Sequence, residues 1–376
     1  MSIHGIAADG ISVGLDLEVG HLAVLEVDSD GRRLSPLHKA PWVGDPEQDF
    51  PPGTAPNVRH LSGDFFCAPF GRSDADCGDP GPAPSHGWPA NSAWTVLRSG
   101  PTPSGAEAVF RLDRRVCGAT VEKTLRLLHG HPFVYQQHRF IGGEGAISAA
   151  HHTMVHMREG GDIAVSPKLF AETPADPLEP DPSRGRFVLA YPATTPDLHA
   201  FPLADGGTAD LGRYPPGDRH EDFLTLAEAP GRPLGWTIVS RRAERDRVLV
   251  LKNPAVLPVT MLWMSNGGRD YAPWSSRHAG VLGIEDARAS PLGHADSIRP
   301  NAWTARGIAT AFDLADGGAI VISQVIGACA MGEGEGAVRA VSVEGDKVIV
   351  SCAGGLSRRL PFDPEFLAGQ AASKLG

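Results

Sequence analysis

Short runs in which apolar and polar residues alternate recur along most of this 376-residue chain. Alternation with a period of two places every second side chain on one face of a strand, and it is typical of strands buried on one side. The runs are 11–27, 106–112, 120–128, 133–140, 147–157, 185–191, 234–240, 247–251, 259–263, 280–284, 304–312, 319–325, 337–343 and 347–352. Glycine-rich turns separate many of them, so the pattern predicts a predominantly antiparallel β protein.

Helical periodicity is nearly absent by comparison. The best candidate is 364–375, where Phe366, Leu367, Ala371 and Leu375 would share a helix face. We therefore predict an all-β fold with more than about 40% strand and less than about 15% helix, outside ordinary proportions. The strands are expected to form two stacked sheets within a single domain, 1–376. No repeat of fixed length suggests a propeller or a solenoid.

Composition narrows the range of partners. Acidic residues outnumber basic ones 44 to 34, which disfavours nucleic acid, whose binding proteins concentrate positive charge. No apolar run is long enough to span a bilayer, and the N-terminus lacks a secretory pattern. The five cysteines include no Cys-x-x-Cys pair. These features favour a soluble cytoplasmic protein with reduced thiols and no nucleic-acid or membrane partner.

Segment 38–93 is rich in proline, glycine and large apolar residues, and it is expected to be a long loop that packs against the sheets. Within it, 85–94 combines His86, Asn91 and Trp94, and leads into a strand. Aromatic faces stack on the C–H faces of a sugar, while imidazole and carboxamide groups bond its hydroxyls. These three residues are therefore candidate sugar ligands. The alternative is a proline-stiffened loop with a tryptophan anchor.

Three histidines lie within six residues of the run 147–157. In a strand, His152 and His156 share one face, and His151 lies on the other. In a helix, His152 and His156 would be one turn apart, as in zinc proteases, but the glutamate expected beside the first histidine is absent. A metal site formed by the three histidines with an acidic partner stays open as an alternative, as do satisfied core histidines.

The segment 277–287 carries a glutamate within an apolar strand. Strand parity places Leu282 and Ile284 on one face, and Val281, Gly283 and Glu285 on the other. Gly283 would leave room for another group to approach that face closely. Facing an enclosed cleft, the charged form of Glu285 would be disfavoured by desolvation, as in many general bases. The alternative is a glutamate that faces solvent.

The order of these motifs resembles that of a known superfamily. Pro69-Phe70-Gly71, the His86–Trp94 segment, His152-Thr153 and Gly283-Ile284-Glu285 follow one another as in the aldose 1-epimerase (galactose mutarotase-like) superfamily. The motifs look closest to those of the hexose-6-phosphate 1-epimerase branch. The resemblance implies a galactose mutarotase-like β-supersandwich with few short helices.

By this resemblance, His152 is the catalytic acid and Glu285 the base that takes the anomeric proton. It also implies that His86 binds the substrate and that Asp222 holds a sugar hydroxyl. Such chemistry needs no cofactor or metal, because two proton transfers open and close a hemiacetal. The expected function is a sugar mutarotase acting on a small-molecule sugar. The rival from another class is a non-catalytic carbohydrate-binding or regulatory protein of the same fold.

One departure from the branch concerns phosphate recognition. Ala90 stands where the hexose-6-phosphate branch has an arginine, and phosphate sites rely on bidentate arginine. Arg72 could substitute, so we include it among the candidate substrate-binding residues. We predict that neutral or acidic sugars outcompete hexose phosphates. The candidate stacking residues are Trp42, Trp88, Trp94 and Trp274.

Overall fold

A computed structural model describes residues 1–72, 83–315 and 318–368. Strands account for 49% of the protein and helices for 7%, which confirms the predicted all-β class. The strands are β1 (Ile3–Ala8), β2 (Ile11–Asp16), β3 (His21–Ser29), β4 (Arg32–Leu34), β5 (Asp64–Cys67), β6 (Trp94–Thr102), β7 (Gly105–Leu112), β8 (Thr120–Leu128), β9 (Phe133–Ile141), β10 (Ala146–Ile147), β11 (Ala149–His156), β12 (Gly161–Val165), β13 (Lys168–Thr173), β14 (Ala193–Thr195), β15 (Phe201–Pro202), β16 (Thr208–Ala209), β17 (Arg213–Tyr214), β18 (His220–Glu228), β19 (Gly235–Arg241), β20 (Asp246–Lys252), β21 (Val259–Asn266), β22 (Val281–Arg288), β23 (Phe312–Asp313), β24 (Ala319–Ala330), β25 (Val338–Glu344), β26 (Lys347–Cys352) and β27 (Ser357–Pro361).

Helical elements in the described residues are all short. They are α1 (Pro56–Arg59), α2 (His294–Ser297), α3 (Glu365–Ala368) and 3₁₀ turns at Trp88–Ala90, Leu198–Ala200, Thr304–Arg306 and Ala353–Gly355. Helix α3 is the start of the predicted helix 364–375, whose remaining residues lie outside the described part of the chain. Run 185–191 is not a strand, and 304–312 contains a 3₁₀ turn instead of a continuous strand.

Two large antiparallel sheets dominate the architecture. The 11-stranded first sheet has the order β1-β2-β3-β5-β11-β22-β21-β18-β13-β14, with β4 beside β3. The second sheet has nine strands, in the order β17-β12-β19-β20-β24-β9-β8-β7-β6. Strands β25, β26 and β27 form a separate small sheet.

The main core lies between the two large sheets. Leu282 and Ile284 of the first sheet pack with Val239 and Val250 of the second, and all four are inaccessible to solvent. Val281, one position earlier, joins a different cluster on the outer face of the first sheet. The predicted strand parity is therefore correct, and burial of both faces explains why the first half of β22, residues 281–284, carries no polar side chain.

The described residues of segment 38–93, namely 38–72 and 83–93, cover the outer face of the first sheet, as the apolar content of the segment predicted. Trp42 is buried there, and its indole Nε1 donates to the backbone oxygen of Val58 at 2.7 Å. The segment is not only loop, however, because β5 inserts between β3 and β11. The apolar run Phe65-Phe66-Cys67 is the sequence signal for β5, but the proline and glycine around it led us to predict a loop.

The cysteines differ from expectation at one position. Cys117 is disulfide-bonded, so the prediction of reduced thiols is wrong there. Cys67, Cys329 and Cys352 are free and buried, and Cys77 lies outside the described residues. Among the described helices, none has the length and apolar character needed to cross a membrane. A cytoplasmic location stays a prediction.

Candidate active site

Neighbouring strands of the first sheet bring outward-facing side chains together beneath segment 38–93. His152 on β11 lies directly opposite Glu285 on β22. On the other side of β11, Phe65 of β5 lies opposite His152. Trp263 of β21 lies opposite Gly283, two residues before Glu285. His152 and Glu285 are 133 positions apart in the sequence (285 minus 152), and they are adjacent because β11 pairs with β22.

His152 and Glu285 form a buried pair. The imidazole Nε2 lies 3.2 Å from carboxyl Oε1, and each residue is only 3% exposed. The Phe65 ring stacks on the imidazole with 4.3 Å between ring centroids, and the Trp263 indole meets it edge-on at 5.8 Å. Within the described residues, His152 Nδ1 is buried without a hydrogen-bond partner. The aromatic rings fix the imidazole plane, while no cation neutralises Glu285.

Burial shifts both pKa values in directions that suit proton transfer. It raises the pKa of Glu285 to about 8, and it lowers the pKa of His152 well below 6.5, with His86 contributing to the second shift. At neutral pH the pair therefore holds one proton, carried mainly by the carboxyl group. The two atoms between which this proton would move, His152 Nε2 and Glu285 Oε1, lie 3.2 Å apart.

Gly283 gives the imidazole its room. A Cβ atom added there would lie 3.0 Å from His152 Cε1 and 3.1 Å from the Trp263 side chain. Both distances are tighter than ordinary carbon contacts, so a larger residue would displace one of these rings. The predicted close approach at Gly283 is confirmed, and the approaching groups are His152 and Trp263.

The pair opens into a cavity of about 450 Å³. Strand residues form its base, and loops from segment 38–93, from 174–178 and from 269–293 form its sides. Its lining residues are Ala55, Asn57, Val58, Leu61, Phe65, Phe70, Gly71, Arg72, Ser85, His86, His152, Pro174, Ala175, Asp176, Pro177, Leu178, Phe223, Trp263, Arg269, Trp274, Glu285, Pro291, Leu292 and Gly293. The volume lies within the range of small-molecule sites.

His86 reaches the cavity from a constrained loop. Its backbone adopts a positive φ of 67°, and its ring meets His152 edge-on with 5.6 Å between centroids. Its Nδ1 lies 3.4 Å from the Cys67 sulfur, and burial lowers its pKa to about 4. At neutral pH this imidazole is therefore uncharged and suited to hydrogen bonding with a neutral hydroxyl.

Three residues predicted to bind substrate do not line the cavity: Asn91, Trp94 and Asp222. The Asn91 amide donates to the backbone oxygens of Ser85 and Gly87 at 2.9 and 2.7 Å, which clamps the loop that carries His86. Trp94 is 3% exposed, and its indole donates to Pro89 at 3.0 Å. Both side chains have structural partners, so their assignment as direct sugar ligands is replaced by a role in supporting the loop.

Asp222 also faces away from the cavity. Its oxygens accept hydrogen bonds from the backbone of Val188 and Leu189, from Tyr191 at 3.0 Å and from His220 at 2.7 Å. Strand parity directs Asp222 into the core between the sheets, so it anchors 188–191 instead of holding a sugar hydroxyl. Its neighbour Glu221 points to the other side of the sheet, where Trp263 and Ser265 donate to it.

Sequence reasoning missed a group of residues at one end of the cavity. The Trp263 indole and the Ser265 hydroxyl, the latter at 2.9 Å, both donate to Glu221. Arg269 lies 3.4 Å from the same carboxylate, and its guanidinium carbon lies 4.5 Å from the Trp274 ring centroid. Burial raises the pKa of Glu221. The parity of β21 could have flagged Trp263, but nothing local indicated Arg269.

The histidine-rich run does not converge on one point. His151 is fully buried on the interior side of β11, with its Nδ1 3.9 Å from Asp64. His156 lies beyond Met154 on the outer side, near His38, with 5.8 Å between ring centroids. Strand geometry therefore separates His151 from His152. In the described ranges, no group of three or more His, Cys, Asp or Glu side chains is placed to hold a metal ion.

Comparison with known proteins places this fold. No protein-family model matches the chain, and no curated protein matches it. Among solved structures, a galactose mutarotase related enzyme from Lactobacillus acidophilus is 12% identical with a TM-score of 0.54, over 88% of this chain and 99% of that one. A proposed aldose 1-epimerase from Escherichia coli K12 is 10% identical, also with a TM-score of 0.54, over 87% and 98%.

A proposed mutarotase from Salmonella typhimurium is 13% identical, with a TM-score of 0.50 over 88% of this chain and 91% of that one. At such identities the likeness shows the fold alone. The fold is that of the galactose mutarotase-like β-sandwich, as the sequence motifs predicted.

Proposed function

We propose that this protein is a cofactor-independent aldose 1-epimerase that interconverts the α and β anomers of a sugar, with residues 1–376 acting as one carbohydrate-binding domain. The observation that carries the proposal is the buried His152–Glu285 pair at 3.2 Å in the base of a 450 Å³ cavity. A buried carboxyl and imidazole with only each other as charged partners are costly to fold, and acid–base chemistry accounts for them.

The proposed reaction uses the single proton that the pair holds. With a sugar bound, the proton resides on His152, and the Glu285 carboxylate takes the proton of the anomeric hydroxyl. The C1–O5 bond breaks as C1 becomes a carbonyl, and His152 gives its proton to O5. Rotation about C1–C2 presents the other carbonyl face, and the reverse transfers close the ring. No net proton is gained or lost.

Other cavity residues would bind the sugar. The indoles of Trp263 and Trp274 line the cavity beside the pair, and His86 offers a neutral hydrogen-bonding group. Arg72 is exposed at the cavity edge. We do not extend the proposal to hexose 6-phosphates, because Ala90 is fully buried and supplies no cation.

Two-dimensional NMR exchange spectroscopy tests the activity. Wild-type protein is expected to speed anomer exchange for at least one sugar from a panel of neutral, acidic and phosphorylated aldoses. The matched Glu285→Gln protein should give only the spontaneous rate. If the protein binds a sugar without speeding exchange, it is a carbohydrate-binding protein of this fold, and the proposed activity is wrong.

A further inference from the structure

Arg269 is the buried cation of the cavity, and its donors are poorly used. Its side chain is 15% exposed and covers Trp274, with the guanidinium carbon 4.5 Å from that ring centroid and 5.7 Å from that of Trp263. A guanidinium carries five N–H donors. The described contacts give it one carboxylate, Glu221, at 3.4 Å, and its Nε is buried without a partner. A ligand with acceptor oxygens would relieve this deficit.

The loop that carries Arg269 is rigid. The next residue, Asp270, pairs with Arg186 at 2.7 Å and with Arg219 at 3.0 Å. The preceding residue, Gly268, lies so close to β18 that an added Cβ would be 2.2 Å from the backbone carbon of His220. The guanidinium is therefore held in place before any ligand binds, which lowers the entropy cost of recognition.

Trp263 links this cation to the acid–base pair. Its ring lies 5.8 Å from the His152 ring and 5.7 Å from the Arg269 guanidinium. Because Trp263, Arg269 and Glu285 line one cavity, a pyranose that lies against Trp263 with C1 at Glu285 can extend the C6 group, which is carried by C5, toward Arg269. Resting on the proposed epimerase function, we infer that Arg269 binds a carboxylate at C6, so that the substrate class is hexuronic acids.

The charge balance favours a monoanion over a phosphate. Glu221 lies 3.4 Å from the guanidinium and already offsets part of its charge, so a dianionic phosphate would meet a neighbouring carboxylate with only one buried cation to balance it. The other lining cation, Arg72, is exposed at the edge. A planar carboxylate matches the two-point geometry of guanidinium with half the charge.

Calorimetry with locked glycosides tests this inference separately from catalysis. The probes are the methyl glycosides of glucuronic and galacturonic acid and the methyl esters of these acids. They are compared with methyl glucoside, methyl galactoside and the 6-phosphates of these two glycosides. None of these glycosides can open its ring. One of the acids is expected to bind at least about tenfold more tightly than its ester and parent glycoside. Equal affinity for acid and ester, tighter binding of a 6-phosphate or no measurable binding of either acid would overturn the inference.

Variants then locate the charge. Arg269→Gln should abolish the preference for the acid over its ester, and Arg269→Lys should keep part of it, because lysine retains the charge without the two-point geometry. Arg277→Gln is the matched control: it removes an exposed arginine from the same loop region but outside the cavity. A preference that survives Arg269→Gln in folded protein assigns the anion to another residue and overturns the proposal.

The two proposals fail independently. Suppose that the protein prefers uronates in an Arg269-dependent way but does not speed the anomer exchange of any free sugar. This result would support the ligand class and reject the epimerase activity. Exchange on neutral sugars without any such preference would retain the epimerase and reject the assignment of Arg269.

Discussion

The two faces of the β11–β22 strand pair bury acidic groups in opposite ways. On the cavity face, Glu285 has no cation beside it among the described residues, and the one polar contact found there is with His152 at 3.2 Å. On the interior face, the adjacent residue Asp286 lies 3.0 Å from the Lys252 ammonium and accepts hydrogen bonds from Thr260 at 2.8 Å and Gln324 at 2.9 Å. Both carboxyl groups are at most 3% exposed.

The contrast separates burial for stability from burial for chemistry. A buried carboxyl group with a cation and further donors beside it holds two sheets together, because Asp286 bonds to Gln324 on the opposite sheet. A buried carboxyl without such partners keeps its proton until a substrate arrives, as the pKa of about 8 for Glu285 indicates. Neighbouring positions in the sequence thus bury carboxyl groups beside unlike partners.

Substitution on the cavity face should give the largest effect on rate. Glu285→Gln keeps the shape of the side chain but cannot accept the anomeric proton, so we expect anomer exchange to slow by about 100- to 10,000-fold. His152→Asn should do the same. The melting temperature should change little, because neither residue has a charged structural partner other than the other.

The double variant sharpens this prediction. Because the two groups act as a unit, Glu285→Gln with His152→Asn should be little slower than the slower single variant. Exchange rates measured by NMR and melting by circular dichroism distinguish the outcomes. Near-wild-type exchange in folded Glu285→Gln would contradict the mechanism.

Substitution on the interior face should reverse the pattern. Asp286→Ala removes one of the two carboxylates beside the Lys252 ammonium, so that Glu228 at 3.0 Å is the carboxylate left there. It also removes the acceptor for Gln324 and the closer of two carboxylate acceptors for Thr260. We expect the free energy of unfolding to fall by about 3–5 kcal/mol, measured by urea denaturation. Exchange per folded molecule should be much less affected than in Glu285→Gln. A stable Asp286→Ala protein would show that the interior network is not structural.

The pH dependence of anomer exchange should reflect the ionisation of Glu285, the buried carboxyl group without a neighbouring cation in the described residues. Above the Glu285 pKa of about 8 the pair loses its only proton, so kcat/KM should fall about tenfold per pH unit there. A second fall is expected below pH 6.5, where His152 and Glu285 both become protonated, because the pKa of His152 is lowered. An alkaline limb absent up to pH 10 would show that the pair does not control the rate.

Stability should depend on pH in a matching window. Between about pH 6.5 and 8, Glu285 is protonated in the native state and ionised in the unfolded state, so raising the pH removes a proton that only the native state binds. The free energy of unfolding should therefore decrease with pH in this window. Glu285→Gln should flatten that slope, and Asp286→Asn, which lies on the other face, serves as the control.

The smallest expected effect concerns the space beside the pair. Gly283→Ala places a methyl group 3.0 Å from the His152 ring, so that the ring shifts by a few tenths of an ångström. Misplacement of a catalytic group by about 1 Å costs roughly 100-fold, so we expect a loss of about tenfold or less in kcat. Interior glycines such as Gly327, which abuts Phe133, provide a comparison in which stability rather than rate should change.

The sequence by itself determined the fold class and pointed to His152 and Glu285, the pair that we propose as acid and base. Strand parity alone assigned His152, Glu285 and Gly283 to their faces, because a period of two is a property of the extended backbone and needs no knowledge of neighbours. The order of the short motifs, through its resemblance to the superfamily, then assigned His152 and Glu285 to one site. Where local chemistry was plain, as at His86 in its proline-rich loop, the residue also lies in the cavity.

Only the tertiary structure decided which strands are neighbours and what each polar side chain meets. Asn91 was predicted to bind a sugar from the chemistry of its carboxamide, and Asp222 from the resemblance to the superfamily. Backbone donors and acceptors occupy both side chains instead. Arg269 carried no local signal, because its position depends on Glu221, which lies 48 positions earlier in the sequence (269 minus 221). The guanidinium also packs on Trp274 of the same loop. Sequence pattern fixes the direction of a side chain, whereas its partners follow from long-range strand pairing.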